Sequence, residues 1–187
     1  METMTPPVED VEWIPVEEST APGRVRRATV ALARRLRFSE YRMGEVAIAA
    51  TELSTNVQKH AAEGVVALRV RRTNDVAAVE IMAIDSGPGI ADVASVTQDG
   101  DSTVGSLGVG LGAVMRLATW FDVYSLPGCG TVMVATFWPA DAPVERSTVA
   151  ALTRTMGGQL VCGDAYGERS FAGVTTLLLV DGLGHGG

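Results

Sequence analysis

Three stretches of this chain hold residues of types and spacings that can do chemistry. The first is "ATELSTNVQKHA", residues 50–61, where Glu52, Asn56 and His60 recur at every fourth position. Residues four apart stand above one another on a helix, so these three form one polar ridge. Val46, Ala50, Leu53 and Val57 follow at spacings of four, three and four and predict the buried stripe beside it. The second stretch is "AIDSGPGI", residues 83–90. A β-branched and apolar run delivers Asp85 to a strand tip, and Gly87-Pro88-Gly89 turns the backbone sharply away. A carboxylate buried at that edge can accept a hydrogen bond from an exocyclic amine, and the glycines allow a flat ligand to approach the chain. The third is "GSLGVGLGAVMRL", in which Gly105, Gly108, Gly110 and Gly112 precede a helix. That order turns backbone N–H groups and a positive helix end toward an anion. No Gly-Lys-Ser/Thr closes it as in a Walker loop, and no strand runs directly into it as in a Rossmann unit.

The elements that position these residues follow from local pattern. "VEWIPV" (11–16) suits a short edge strand, because Pro15 removes a ladder donor. A first helix is predicted from about Pro22 to Phe38, with Val25, Val30, Ala33 and Leu36 facing inward. Ser39 is placed to cap a second helix that ends near Ala62, before Gly64. "VVALRVRR" (65–72) and "DVAAVEIMAID" (75–85) predict a hairpin. A glycine-rich loop over 99–112, a helix over 113–121 and a strand–"PGCG"–strand unit over 122–138 complete the pattern. Antiparallel strand pairs with helices before and between them predict a two-layer α/β sandwich with its helices on one face of the sheet. "PADAPVERS" (139–147) reads as a linker.

Composition narrows the function. The chain has 187 residues, 47% of them hydrophobic, enough for a real core. Aromatic residues make up 5% and the net charge is −7, a poor basis for stacking bases or holding a polyanion, so no nucleic-acid partner is expected. The charge is uneven: Arg24, Arg26, Arg27, Arg34, Arg35, Arg37 and Arg42 follow an acidic start and read as a solvated helix face or a grip for an acidic partner. Cys129 and Cys162 have no metal-site spacing and are too few for a disulfide framework. The N-terminus lacks the pattern of a signal peptide and no apolar run approaches a membrane span, so a cytoplasmic protein is expected.

In order along the chain stand a helix with Glu-x-x-x-Asn, a strand ending Asp-x-Gly-x-Gly, a glycine-rich loop before a helix, and Gly130-Thr131 in the last hairpin. Together they resemble the GHKL ATPase superfamily, the Bergerat ATP-binding fold with a mixed, mostly antiparallel sheet. "TELSTNVQKHA", "AIDSGPGIADV", "SLGVGLGAVMRL" and "CGTVMVATFW" look most like the serine/threonine kinases of bacterial partner-switching systems, the anti-sigma-factor and stressosome switch kinases. The resemblance implies that Asn56 holds Mg2+ through its amide oxygen and that Glu52 takes the proton of the attacking hydroxyl. It implies that Asp85 accepts from the adenine amine of ATP, with Gly87 and Gly89 leaving room for the ring. Gly105, Gly108, Gly110 and Gly112 would meet the phosphates as a lid, Thr131 would support the adenine side, and His60 would pack or position. Histidine-kinase relatives need a phospho-accepting histidine on a helical dimerisation segment; His60 and His185 are the two histidines here, and neither fits. A kinase acting on a small STAS-type antagonist protein or a sigma-factor regulator is therefore the expected activity. A non-catalytic, nucleotide-dependent anti-sigma or regulatory binding module is the alternative.

Residues 157–187 carry a second resemblance. "GGQLVCGDAYGERSFAG" and "LLLVDGLGHGG" are similar to the opening of type 2C-like metal-dependent serine phosphatases of the sporulation kind. That resemblance implies Mn2+ or Mg2+ at Asp164, Asp181 and the carbonyl of Gly182. The sequence thus divides into a kinase-type domain (1–138), the linker (139–147), and an incomplete β-rich phosphatase-like segment (148–187), with a fragment of a kinase–phosphatase fusion as a further alternative. This segment is expected to be inactive as given, since two carboxylates alone hold two divalent ions poorly. Its unpaired β-rich character also offers a surface for aggregation or a homodimer.

Overall fold

A computed structural model describes residues 11–61, 63–73, 76–93, 108–139, 162–171 and 174–182. By its internal contacts the chain divides into two compact units, with a boundary between residues 144 and 145. The larger unit contains β1 (Val11–Pro15), α1 (Ala21–Arg35), α2 (Glu40–His60), β2 (Gly64–Thr73) and β3 (Val76–Asp85). It continues with α3 (Gly108–Leu117), β4 (Trp120–Leu126) and β5 (Gly130–Phe137). Its five strands lie in the order β1-β2-β3-β5-β4, and each described pairing is antiparallel.

Strand alternation explains why the helices cover one face. Val66 and Leu68, Val79, Ile81 and Ala83, and Met133, Ala135 and Phe137 point into one core with Val25, Val46, Leu53, Val57, Leu111 and Val114 of the helices. This is the two-layer α/β arrangement expected from the sequence, and it places the C-terminal half of α2 above β2, β3 and β5. The intervening strand positions carry Glu80, whose carboxylate accepts from Arg69 Nε at 2.6 Å, Thr136 Oγ1 at 3.1 Å and Arg71 Nη1 at 3.3 Å. A carboxylate this deeply buried is tolerable only when its lone pairs are met in this way.

Local signals set the helix ends. Ser39 Oγ accepts from Arg42 N at 3.2 Å and caps α2 as predicted. The first helix stops at Arg35 rather than Phe38, because Arg37 adopts φ 61° and Phe38 N returns to Ala33 O at 3.1 Å. That closure resembles a Schellman turn with arginine in the left-handed position.

The larger departure is at the glycines. Residues 108–112 were expected to be loop, but Gly108, Gly110 and Gly112 lie inside α3, which ends at Leu117 so that β4 begins at Trp120. Leu111 and Val114 are fully buried at helical spacing. Their burial outweighs the ~1 kcal/mol that each helical glycine costs. Phe121 and Val123 then alternate inward as strand residues, where a helix had been predicted to continue through Phe121.

In the second unit, β6 (Ala165–Phe171) and β7 (Val174–Val180) form an antiparallel hairpin from Ala165↔Val180 to Phe171↔Val174. Leu177, Leu178 and Leu179 of β7 are exposed. No described helix is long and apolar enough to cross a membrane.

Candidate nucleotide site

The predicted ridge on α2 is not a solvated face. Asn56 is buried to 7% exposure, and Glu52 and His60 are half-buried. The stripe that was expected to be buried, Val46, Ala50, Leu53 and Val57, lies on the core side of the same helix with at most 1% exposed. Two other segments cover the ridge. The first turn of α3 lies over Glu52, where the carboxylate occupies the space that a Cβ on Gly110 would fill. Gly87 packs on the carbonyl of His60, which a Cβ there would meet at 2.6 Å.

Asn56 Nδ2 and His60 Nε2 are fully enclosed, with no hydrogen-bond partner among the described residues. An unpaired buried amide costs about 1–3 kcal/mol, so its position has a purpose other than stability. The amide oxygen of Asn56 is a hard, uncharged donor atom, and the Glu52 carboxyl group stands one turn away on the same helix. This donor chemistry suits Mg2+ bridging to phosphate oxygens rather than a softer metal.

Asp85 sits at the tip of β3, opposite Gly64 on β2 and Thr131 on β5. It is half-buried, not buried as the sequence suggested. Its Oδ1 accepts from Gly87 N at 2.8 Å, which fixes the plane of the carboxyl group. Gly89, at φ 71°, abuts the Leu126 carbonyl, and Gly128 N donates to Pro88 O at 2.8 Å. The loop after Asp85 is thus braced on the β4–β5 turn.

Gly130 completes the seat. With φ 103° and its α-carbon against the Asp85 carbonyl, it has no room for a side chain. Gly130→Ala is expected to lose about 1–3 kcal/mol of stability. The loss should appear as a lower urea midpoint at unchanged slope, whereas an unmoved midpoint would mean that the turn adjusts without strain.

Thr131 is buried, and its hydroxyl lies 2.9 Å from Ser125 Oγ. Ser125 also accepts from Ile90 N at 2.8 Å and donates to Gly130 O at 3.0 Å. This serine was missed in the sequence: Gly130 belongs to β5 and pairs with Leu126, one residue inside the expected four-residue turn, and that register brings Ser125 opposite Thr131. The link ties the loop after Asp85 to β5.

The phosphate-facing glycines need correction. Gly105 lies outside the described residues. Gly108 and Gly110 belong to the first turn of α3, where backbone N–H groups lack intrahelical acceptors. Gly112 is the fifth residue of that helix, so its N–H is directed to the Gly108 carbonyl rather than outward.

In the hairpin of the second unit, Asp164 and Asp181 are exposed and adjoin the Ala165↔Val180 pair, so both emerge at the same end. Gly182 lies against the Gly163 carbonyl at that end. Asp164, Asp181 and Gly182 therefore lie at one end of the hairpin. No group of three or more His, Cys, Asp or Glu side chains suited to a metal assembles among the described residues.

Comparison with known proteins matches the larger unit. The chain is 35% identical over 107 residues to the serine/threonine-protein kinase RsbT of Bacillus subtilis (strain 168), covering 57% of this chain and 80% of RsbT. Among solved structures it is similar to the mycobacterial sensor histidine kinase MprB, with 16% identity and a TM-score of 0.44, over 68% of this chain and 96% of that one. A family model described as the histidine kinase-like ATPase domain matches residues 15–136, a span that opens at the end of β1, takes in Glu52, Asn56 and Asp85, and closes within β5. On that match, the chain belongs to the histidine kinase-like ATPase domain family.

Proposed function

We propose that residues 1–138 act as an ATP- and Mg2+-dependent serine/threonine protein kinase that phosphorylates a small STAS-type antagonist protein, and so regulates a sigma-factor pathway by partner switching. The observation that carries this reading is the enclosed amide of Asn56, its Nδ2 unpaired, one turn from Glu52, which itself lies against the first turn of α3. The likeness to RsbT supports the choice of a protein hydroxyl as acceptor.

Each residue has a role in this reading. Asp85, held in plane by Gly87, accepts from the adenine amine, and Thr131 fixes the strand beside it. Asn56 offers its amide oxygen to Mg2+, which supplies charge neutralisation on the phosphates when bound. The first-turn N–H groups of Gly108 and Gly110 face the phosphates. The acceptor oxygen bonds to the γ-phosphorus, the bond from that phosphorus to the bridging oxygen breaks, and ADP leaves. Glu52 receives the hydroxyl proton. His60 positions the loop at Gly87 through its carbonyl.

Titration calorimetry with magnesium ATP tests the base-binding half. Wild-type protein is expected to bind, and Asp85→Asn to lose about 1.5–3 kcal/mol of binding free energy as a charged acceptor is replaced. Undiminished binding would remove Asp85 from the adenine seat.

A second reading, a non-catalytic nucleotide-dependent anti-sigma or regulatory module, draws on the exposed Arg26, Arg27 and Arg34 of α1. Stoichiometric capture of a partner with no phosphate transfer would favour it. For residues 148–187 we propose the opening of a type 2C-like phosphatase domain of a kinase–phosphatase fusion, with Asp164, Asp181 and the Gly182 carbonyl as Mn2+ or Mg2+ ligands. With two carboxylates the segment as given is not expected to release phosphate from phosphoserine.

A further inference from the structure

At the end of α2 away from Glu52, Arg42 makes an unusually complete set of contacts. Its Nη1 donates to Leu117 O at 2.7 Å and to Glu45 Oε2 at 2.5 Å. Nη2 donates to Thr119 Oγ1 at 2.6 Å, and Nε donates to Trp138 O at 2.9 Å. The guanidinium lies over the Phe137 ring, 5.1 Å from its centre. Leu117 is the last residue of α3, and its carbonyl is one of those that a helix C-terminus leaves unpaired. A cation there is also favoured by the helix dipole. Thr119 Oγ1 in turn accepts from Trp138 N at 3.0 Å, so one side chain fastens the end of α3, the start of β4 and the end of β5 to the first turn of α2.

The other end of α3 is where the exact placement matters. Gly110 admits the Glu52 carboxylate only because it has no Cβ. Its helical neighbours Val109, Leu111 and Ala113 all carry one, so a rotation or slide of α3 would press a side chain onto Glu52. Helix α3 has ten residues and is about 15 Å long, which makes a pin at Leu117 an effective control of the turn at Gly110. We propose that Arg42 is a positioning residue for phosphoryl transfer: it sets the placement of α3 against α2 and thereby keeps Gly110, and no other residue, over the Glu52 carboxylate. This inference rests on the kinase reading for its effect on turnover, but not for its effect on α3.

The test compares Arg42→Met, Arg42→Lys and Val25→Ala, the last a core variant on α1. Hydrogen exchange of the α3 amides, magnesium ATP affinity and ATP turnover are measured on each. Arg42→Met is expected to raise exchange through α3 and to lower turnover by about 10- to 100-fold with affinity little changed, the scale of a small misplacement at a reacting centre. Lysine can reach one of the carbonyls and should recover part of both. Val25→Ala should lose stability without either change. Unaltered α3 exchange in Arg42→Met overturns the proposal, as does a turnover loss no larger than that of Val25→Ala at equal folded fraction. Should wild-type protein turn over no ATP, the kinase reading fails, and the exchange data alone decide whether Arg42 places α3.

Discussion

Asn56→Ala protein is expected to be at least as stable as wild type and to bind magnesium ATP at least about a hundredfold more weakly, since even outer-shell partners of a metal ligand are worth roughly 10- to 100-fold. The two effects have opposite signs for one reason. In the nucleotide-free fold the Asn56 amide is enclosed with Nδ2 unpaired, so removing it relieves a desolvation cost of about 1–3 kcal/mol. If Asn56 holds Mg2+ as proposed, the same substitution removes an oxygen ligand from the nucleotide-bound fold. Thermal unfolding with and without magnesium ATP separates the two. Wild-type protein should gain about 2.7 kcal/mol at a ligand concentration a hundredfold above the dissociation constant, and the variant should gain almost nothing at that concentration. A variant that is destabilised without ligand and binds normally would show that the amide serves the core.

Glu52→Gln is the second large effect, and it affects only the chemical step. Glutamine keeps the length and planarity of glutamate, so the contact with Gly110 is preserved and α3 stays seated. Nucleotide affinity should therefore be retained, while transfer to a protein hydroxyl falls by about 10²–10⁴-fold with loss of the base. Single-turnover phosphate transfer, run beside calorimetry on the same preparation, reads both quantities. Full transfer activity in this variant would take Glu52 out of the mechanism.

Much of this site was legible in the sequence because its residues lie on regular elements whose periods are short. The four-residue spacing of Glu52, Asn56 and His60 sufficed to align them, and the apolar run before Asp85 sufficed to put it at a strand end. The degree of burial was not legible. The first turn of α3 lies on Glu52 and the loop at Gly87 on the His60 carbonyl, contacts that no local pattern on α2 reports. The glycine-rich segment misled for a related reason. Gly108, Gly110 and Gly112 weaken a helix locally, and only the core contacts of Leu111 and Val114 reverse that preference. Ser125 escaped notice because its partner lies across a hairpin, and counting outward from the expected "PGCG" turn would have paired it with Val132 rather than Thr131. Arg42 was legible only as a charge, since its acceptors come from the far end of the domain.

Asp85 is seated by backbone from three separate stretches: Gly64 beside it on one strand, Gly130 and Thr131 on the other, and Gly87 from its own loop. Grafting "DSGPG" onto the tip of a foreign strand would therefore carry the acid across and leave its socket behind. A designer wishing to transplant this seated carboxyl group has to move both flanking strands, with their side-chain-free positions, as one block.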